Sequence, residues 1–226
     1  MHDNLDMVIE HKYVKFYAIN QALYLLIKRF LDITISIIGF LILIPAILFV
    51  KISYMLNGDF HRIIFTQSRI GKDGKEFKFY KFRTMVDNAD EVLKEMLRKD
   101  KKLAKEYKIN KKLKDDPRIT KVGKFLRKTS IDELPQLINV LKGDMSLIGN
   151  RPYLPREKKD MGNYFDDIVS TKPGLTGYWQ VSGRSDTTFD YRLKCERFYS
   201  LNRNFKMDVK IFIKTFATVL GHKGAR

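Results

Sequence analysis

The run "ITISIIGFLILIPAILFV", Ile33 to Val50, holds 18 consecutive residues without a charge. As a helix it extends roughly 27 Å, close to the thickness of a bilayer's hydrocarbon layer. A buried core helix is usually shorter and keeps a polar stripe, so the run reads as a membrane-contacting helix. A cleavable signal peptide does not fit. The run starts far from Met1, shows no small-residue cleavage pattern and continues into "KISYML".

Pro45 lies inside this run, where a proline removes a backbone hydrogen bond and kinks a helix. Both flanks are basic, with Lys12, Lys15, Lys28 and Arg29 before the run and Lys51, Arg62 and Arg69 after it. A simple crossing would leave one basic flank on the outer side, against the positive-inside tendency. A re-entrant helix over residues 28–56, kinked at Pro45 and returning to the same face, satisfies both observations. A short ordinary span that tolerates the proline is the alternative.

The chain has 226 residues, 43 Lys+Arg against 26 Asp+Glu and a formal charge of +17, which favours polyanionic company. Nucleic acid, anionic lipid and phosphorylated small substrates all qualify. Cys195, the single cysteine, reads as a packed thiol, and four scattered histidines give no zinc-site spacing.

Residues 1–27 read as a lead-in near the membrane surface, and residues 57–226 as one catalytic-size domain. Arg62 to Met85 reads as a β-hairpin turning at Gly71 to Gly74, and Asp87 to Tyr107 as one amphipathic helix. Phe205, Val209, Phe212, Ile213, Phe216 and Leu220 share one face of a C-terminal helix that fits either the core or a membrane interface. The fold class expected is α+β, helix-rich, with a β-hairpin and the N-terminal re-entrant membrane helix.

The stretch "RKTSIDELPQLINVLKGDMSLIGNRP" sets Asp132 and Glu133 side by side in the most basic part of the chain. On its own "SIDE" matches a capping box, with Ser130 and Glu133 satisfying free N–H groups at a helix start. The setting favours a second role, since Lys121, Lys124, Arg127 and Lys128 lead in and Arg151 follows. An ionised acid, a second acid and fixed cations are what phosphoryl transfer with a divalent metal requires, and Mg²⁺ binds through one or two carboxylates plus substrate phosphates. "TKPGLTGYWQVSGRSD" adds Lys172 and Arg184 as phosphate-binding candidates, with glycines and the Tyr178–Trp179 pair between them.

In order, "KRFLD", "FTQSRIGKDGKEFKFYKFRTM", "SIDELPQLINVLKGDMSLIGNRP" and "KPGLTGYWQVSGR" resemble the bacterial sugar transferase family, the monotopic polyprenyl-phosphate phosphoglycosyltransferases. The resemblance runs from about Leu26 to the C-terminus and is nearest to the galactose or glucose phosphotransferase branch. It implies transfer of a hexose-1-phosphate from a UDP-sugar to undecaprenyl phosphate with release of UMP. That reaction would be the first membrane step of exopolysaccharide, capsule or O-antigen synthesis, on the cytoplasmic face of the bacterial inner membrane.

Carried onto this chain, Asp132 is the implied nucleophile and Glu133 its partner in holding Mg²⁺ or handling a proton. Arg127 binds a phosphate, Gly149, Arg151 and Pro152 belong to the nucleotide-sugar pocket, and Pro45 is the membrane kink. The implied partners are the UDP-sugar, undecaprenyl phosphate and membrane lipids, with no nucleic acid; a homo-oligomer is compatible with the sequence. The rival from another class is a basic, membrane-tethered protein that binds nucleic acid or anionic lipid. Three positions depart from the family's usual pattern: Asn150 and Lys172 stand where it has proline and arginine, and Ile44 where a serine precedes the kink proline.

Overall fold

The computed structural model describes the backbone at residues 2–110, 113, 115–182 and 188–220. Helix α1, His2–Leu56, carries the apolar run and contains Pro45 within it. Buried positions on α1 are Tyr24, Asp32, Ser36, Leu43, Val50 and Tyr54, spaced by near-multiples of a helical turn, so a single stripe faces the body. Only 17% of the most apolar window is buried, unlike a core helix. The stripe is held as firmly as any internal element. Leu43, Val50 and Tyr54 share a core with Phe82, Val122 and Leu126, and a side chain at Gly39 would start 2.7 Å from Leu137 Cδ1. Burying apolar side chains of this size contributes about 1.5–3 kcal/mol each.

Polar contacts fix the helix register at its first half. Lys28 Nζ (2.5 Å) and the Tyr24 hydroxyl (2.9 Å) both donate to Asp208 Oδ2. Arg29 donates to the carbonyls of Val140 (2.6 Å) and Leu141 (2.8 Å), and Asp32 accepts from the Leu147 amide (2.8 Å) and the Ser146 hydroxyl (3.0 Å).

The expected hairpin is present as β1, Ile64–Ile70, and β2, Glu76–Phe82, antiparallel with Phe65 opposite Lys81 and Arg69 opposite Phe77. Its turn uses positive φ at Asp73 and Gly74, where Asp and Gly are the tolerated residues. The helix expected over Asp87 to Tyr107 is instead two, α2 (Ala89–Lys99) and α3 (Lys101–Asn110). Asp100 breaks it by taking extended φ/ψ and accepting the Lys102 and Leu103 amides, an N-cap preference that outweighs the continuous apolar pattern.

Helix α4, Lys121–Thr129, and α5, Gln136–Lys142, flank the acidic stretch. Strand β3, Ser146–Ile148, pairs in parallel with β4, Gly174–Thr176. The short helices α6 (Lys158–Met161), α7 (Phe165–Val169) and α8 (Tyr178–Ser182) lie around this pair. Helices α9, Phe189–Asn202, and α10, Phe205–Leu220, complete the chain, and the molecule is α+β. Cys195 is buried and unbridged. On α10 the packed side is Met207, Asp208, Ile211 and Thr215, which leaves the apolar stripe from Phe205 to Phe216 outside.

Candidate active site

The acidic stretch is not built as a capping box. Thr120, not Ser130, is the side-chain N-cap here, its hydroxyl accepting the Gly123 amide of α4. Ser130 ends α4 in the left-handed region at φ 58°, with no cap bond from its hydroxyl, and Ile131–Glu133 forms a single 3₁₀ turn before α5. That reversal is costly for a residue with a Cβ, and it follows α4 so closely that Asp132 is turned into the body, 5% exposed.

Two elements then converge on the carboxylate. Lys81, from β2, places Nζ 2.8 Å from Asp132 Oδ2. Arg127, on the last turn of α4, donates from Nε to Thr84 Oγ1 (3.0 Å) and lies where the Asp132 charge acts on it. Burial lowers the Arg127 pKa, and the Asp132 and Asp116 charges oppose that shift. Helix α4 is locked against the strand end, because a Cβ at Gly123 would fall 1.9 Å from the Thr84 carbonyl oxygen. The structure thus brings Asp132 and Arg127 together and adds Lys81. Its signal was available in "FYKFRTM", but a lysine on a strand reads as an exposed charge.

Lys81 and Arg127 open onto a cleft of about 810 Å³ lined by nine cations and five carboxylates. Arg151 lies on it, as do Arg69 from β1, Arg192 from α9 and Trp179 from α8. The Arg192 guanidinium sits 4.1 Å from the Trp179 ring centroid. The Nε atoms of Arg69, Arg151 and Arg192 are buried without a hydrogen-bond partner among the described residues. Burial, with the charges of Arg151 and then Arg156 against it, pulls Arg69 down to about 10.

Behind this wall Glu196 Oε1 accepts the Arg151 amide at 3.2 Å. Burial pushes the Glu196 carboxyl up to about 7 against the pull of Tyr153, the Arg151 amide and the Arg192 and Arg151 charges.

Gly149 and Pro152 shape the backbone beside Arg151. A Cβ at Gly149 would meet the Lys172 carbonyl at 2.5 Å, which lets β3 and β4 approach, and the Pro152 carbonyl accepts from Arg69 Nη1 at 3.0 Å. Asn150 is 3% exposed, and its Nδ2 donates to the Ile168 carbonyl (3.1 Å), Thr171 Oγ1 (3.3 Å) and Ser200 Oγ (2.7 Å). An amide therefore ties together segments that a proline ring would touch only by packing.

Lys172 is not on the cleft. Its ammonium lies near the α5 end, 3.4 Å from where a Gly143 Cβ would be, and burial followed by the Arg29 charge lowers its pKa. Arg184 falls outside the described residues.

As for metal, no group of three His, Cys, Asp or Glu able to hold an ion is gathered among the described residues. Asp132 and Glu133 are neighbours on the 3₁₀ turn, and two carboxylates are a donor set that would suit a hard ion completing its shell with phosphate oxygens and water.

The family model for "Bacterial sugar transferase" matches residues 23–222, from α1 to beyond the end of α10. The chain belongs to the bacterial sugar transferase family. It is 46% identical over 202 residues to an undecaprenyl-phosphate galactose phosphotransferase of Salmonella typhimurium, covering 88% of this chain and 41% of that protein. It is 45% identical over 214 residues to the galactosyl transferase CpsE of Streptococcus agalactiae, covering 94% and 46%. The chain thus spans less than half the length of these two relatives. The exopolysaccharide production protein ExoY of Sinorhizobium fredii is 38% identical over 198 residues, 88% of this chain and 87% of its own.

Proposed function

We propose that this bacterial sugar transferase moves a hexose-1-phosphate from a UDP-sugar, galactose or glucose, to undecaprenyl phosphate and releases UMP. The observation that carries the reading is Asp132, buried on a turn behind Lys81, which holds one of its oxygens, and Arg127, and these two cations line the cleft. A carboxylate paired with a lysine in such a place is oriented, and the surrounding cations offset its repulsion of an incoming diphosphate.

In the first step an Asp132 oxygen forms a bond to the donor's β-phosphorus. The bond from that phosphorus to the bridging oxygen breaks, and the oxygen leaves with its electron pair as part of UMP. Lys81 holds the carboxylate, and Arg127 neutralises charge on the transferred phosphoryl group. In the second step a phosphate oxygen of the lipid attacks the same phosphorus and Asp132 is released, giving the polyprenyl diphosphosugar. Asp132 and Glu133 would hold Mg²⁺, which would supply further charge neutralisation there.

The place of action fits the bacterial inner membrane, with the body of residues 57–226 on its cytoplasmic face and residues 28–56 re-entrant. The body touches α1 on both sides of Pro45, through Lys28, Arg29 and Asp32 before it and Val50 and Tyr54 after it. The name of one relative, an exopolysaccharide production protein, supports a role in exopolysaccharide assembly.

The test is UMP release from a panel of UDP-sugars by detergent-solubilised protein, with and without undecaprenyl phosphate. We expect a stoichiometric UMP burst without lipid, absent in Asp132→Asn and lost on chelation of Mg²⁺. Release that requires lipid and shows no burst would replace the covalent route by direct transfer. No release with any donor, together with steep salt-dependent binding of polyanions, would leave the binding-protein reading.

A further inference from the structure

The last turn of α1 reaches the candidate site by a short polar route. Tyr54 is 1% exposed, and its hydroxyl donates to the Arg83 carbonyl at 2.5 Å. A phenol has a single proton, so with that proton on Arg83 its oxygen can only accept, and the Thr120 hydroxyl 3.2 Å away donates to it. Thr120 Oγ1 in turn accepts the Gly123 amide as the cap of α4. The Gly123 amide, the Thr120 and Tyr54 hydroxyls and the Arg83 carbonyl thus form a chain in which each group donates to the next, an arrangement that strengthens its own links.

Thr84 is where this chain meets the cation. Its carbonyl accepts the Thr120 amide at 3.0 Å, and its hydroxyl accepts Arg127 Nε at 3.0 Å, so both ends of α4 are referenced to one residue. Arg83, the residue before it, ties the same strand end to Tyr54. Its guanidinium lies 4.4 Å from the Tyr54 ring centroid and donates to the Arg62 and Met85 carbonyls and to Asp59. On the outside of this turn of α1, Ile52, Met55 and Leu56 are exposed.

We infer that Tyr54 is a positioning residue whose hydroxyl, acting through Thr120 and the Arg83–Thr84 segment, fixes Arg127 beside Asp132. The seating of the apolar helix thereby sets the cation that meets the transferred phosphoryl group. That consequence rests on the proposed reaction, whereas the link from Tyr54 to Arg127 rests on the geometry alone. A guanidinium is planar and directional, and a misplacement of about 1 Å at a reacting group can cost up to about a hundredfold in rate.

Tyr54→Phe keeps the ring and removes the hydroxyl. Tyr24→Phe is the control, since it removes a buried hydroxyl that α1 gives to Asp208 and not to this chain. In UDP-sugar turnover by the full chain in detergent, Tyr54→Phe should lower kcat about tenfold with the donor KM within about twofold of the wild type, and Tyr24→Phe should change neither. Thr84→Val should behave like Tyr54→Phe, and the double variant should lose no more than the worse single one, because both act through Arg127. The proton–nitrogen NMR signal of Arg127 Nε–H, assigned by its loss in Arg127→Lys, should shift and exchange with water about tenfold faster in Tyr54→Phe, and stay as it is in Tyr24→Phe. An unchanged signal in Tyr54→Phe would overturn the inference whether or not UMP is released. A changed signal with unchanged kcat, or losses that multiply in the double variant, would overturn the positioning role and leave Tyr54 structural. No UMP release by the wild type, with the signal changed in Tyr54→Phe, would remove the reaction and keep Tyr54 as the residue that fixes Arg127.

Discussion

Glu196 is a carboxyl group buried beside the Arg151 and Arg192 guanidinium groups, and its titration links the site to stability. Its pKa is raised to about 7 from the ordinary 4.5 because burial penalises the ion. In the folded protein it therefore keeps its proton at pH values where the unfolded chain has lost it. Its contribution to stability is fully present below about pH 4.5 and declines as pH rises through 7. The shift corresponds to about 3 kcal/mol across that window. Glu196→Gln keeps an acceptor for the Arg151 amide and removes the ionisation. Denaturant unfolding should show the wild type losing stability between pH 4.5 and 7 relative to the variant, and a constant difference across that range would refute the assignment. Sequence offered no hint of this, since a glutamate in "YRLKCERFYS" sits between polar neighbours and burial is a property of the packing. The same holds for Ser130, whose neighbours spell a capping box while its backbone is left-handed.

At the level of elements, much of the framework was legible. The hairpin followed from β-prone runs around a glycine turn, and α10 and the 28–56 part of α1 from their apolar residues, whereas residues 1–27 read as a lead-in and the helix in fact starts at His2. Partnership between segments distant in sequence was not. Lys81 reaches Asp132 only because the hairpin packs on the turn, and Lys172 faces α5 rather than the cleft. Asn150 shows how such a partnership carries energy. Its side chain joins β3 to the ends of α7 and α9 through Ile168, Thr171 and Ser200, all buried. Asn150→Asp is nearly isosteric but turns a donor into an acceptor facing the Ile168 carbonyl, and the Thr171 and Ser200 hydroxyls must turn to donate to it. It should cost about 2–4 kcal/mol in unfolding free energy and raise the KM for the donor, since Arg151 is the next residue. Asn150→Ala leaves acceptors unsatisfied without the repulsion and should cost less. Equal effects of the two variants would mean that only side-chain volume matters here.

Across the whole molecule, large apolar side chains are exposed on α1, α4 and α10. Phe125 of α4 packs on Phe49 of α1 with ring centroids 5.8 Å apart, and Asp208 ties α10 to Tyr24 and Lys28 at the other part of α1. Leu41, Ile44 and Leu48 on α1, Phe125 on α4, and Phe212, Ile213 and Phe216 on α10 are all exposed, and Lys206, Lys210 and Lys214 on α10 are exposed with them. A surface of this extent in contact with water is unfavourable, and lipid is the solvent that suits it. From Asn20 to Leu56 a straight α-helix is about 54 Å long, more than a bilayer's full thickness. Were α1 to cross, its two ends would lie in different compartments. Yet the same folded body binds Tyr24 and Lys28 near one end and Tyr54 at the other, so a crossing would require the contacts at one end to open. Cysteines introduced at exposed Asn20 and Phe60 should therefore both react with a membrane-impermeant thiol reagent from the same side of sealed inverted vesicles, with buried Cys195 silent. High salt should leave the protein on the vesicles and detergent should release it, because apolar contact, unlike the +17 charge, is not screened. Labelling of the two positions from opposite sides would establish a spanning α1 and require the contacts at one end to open in the membrane.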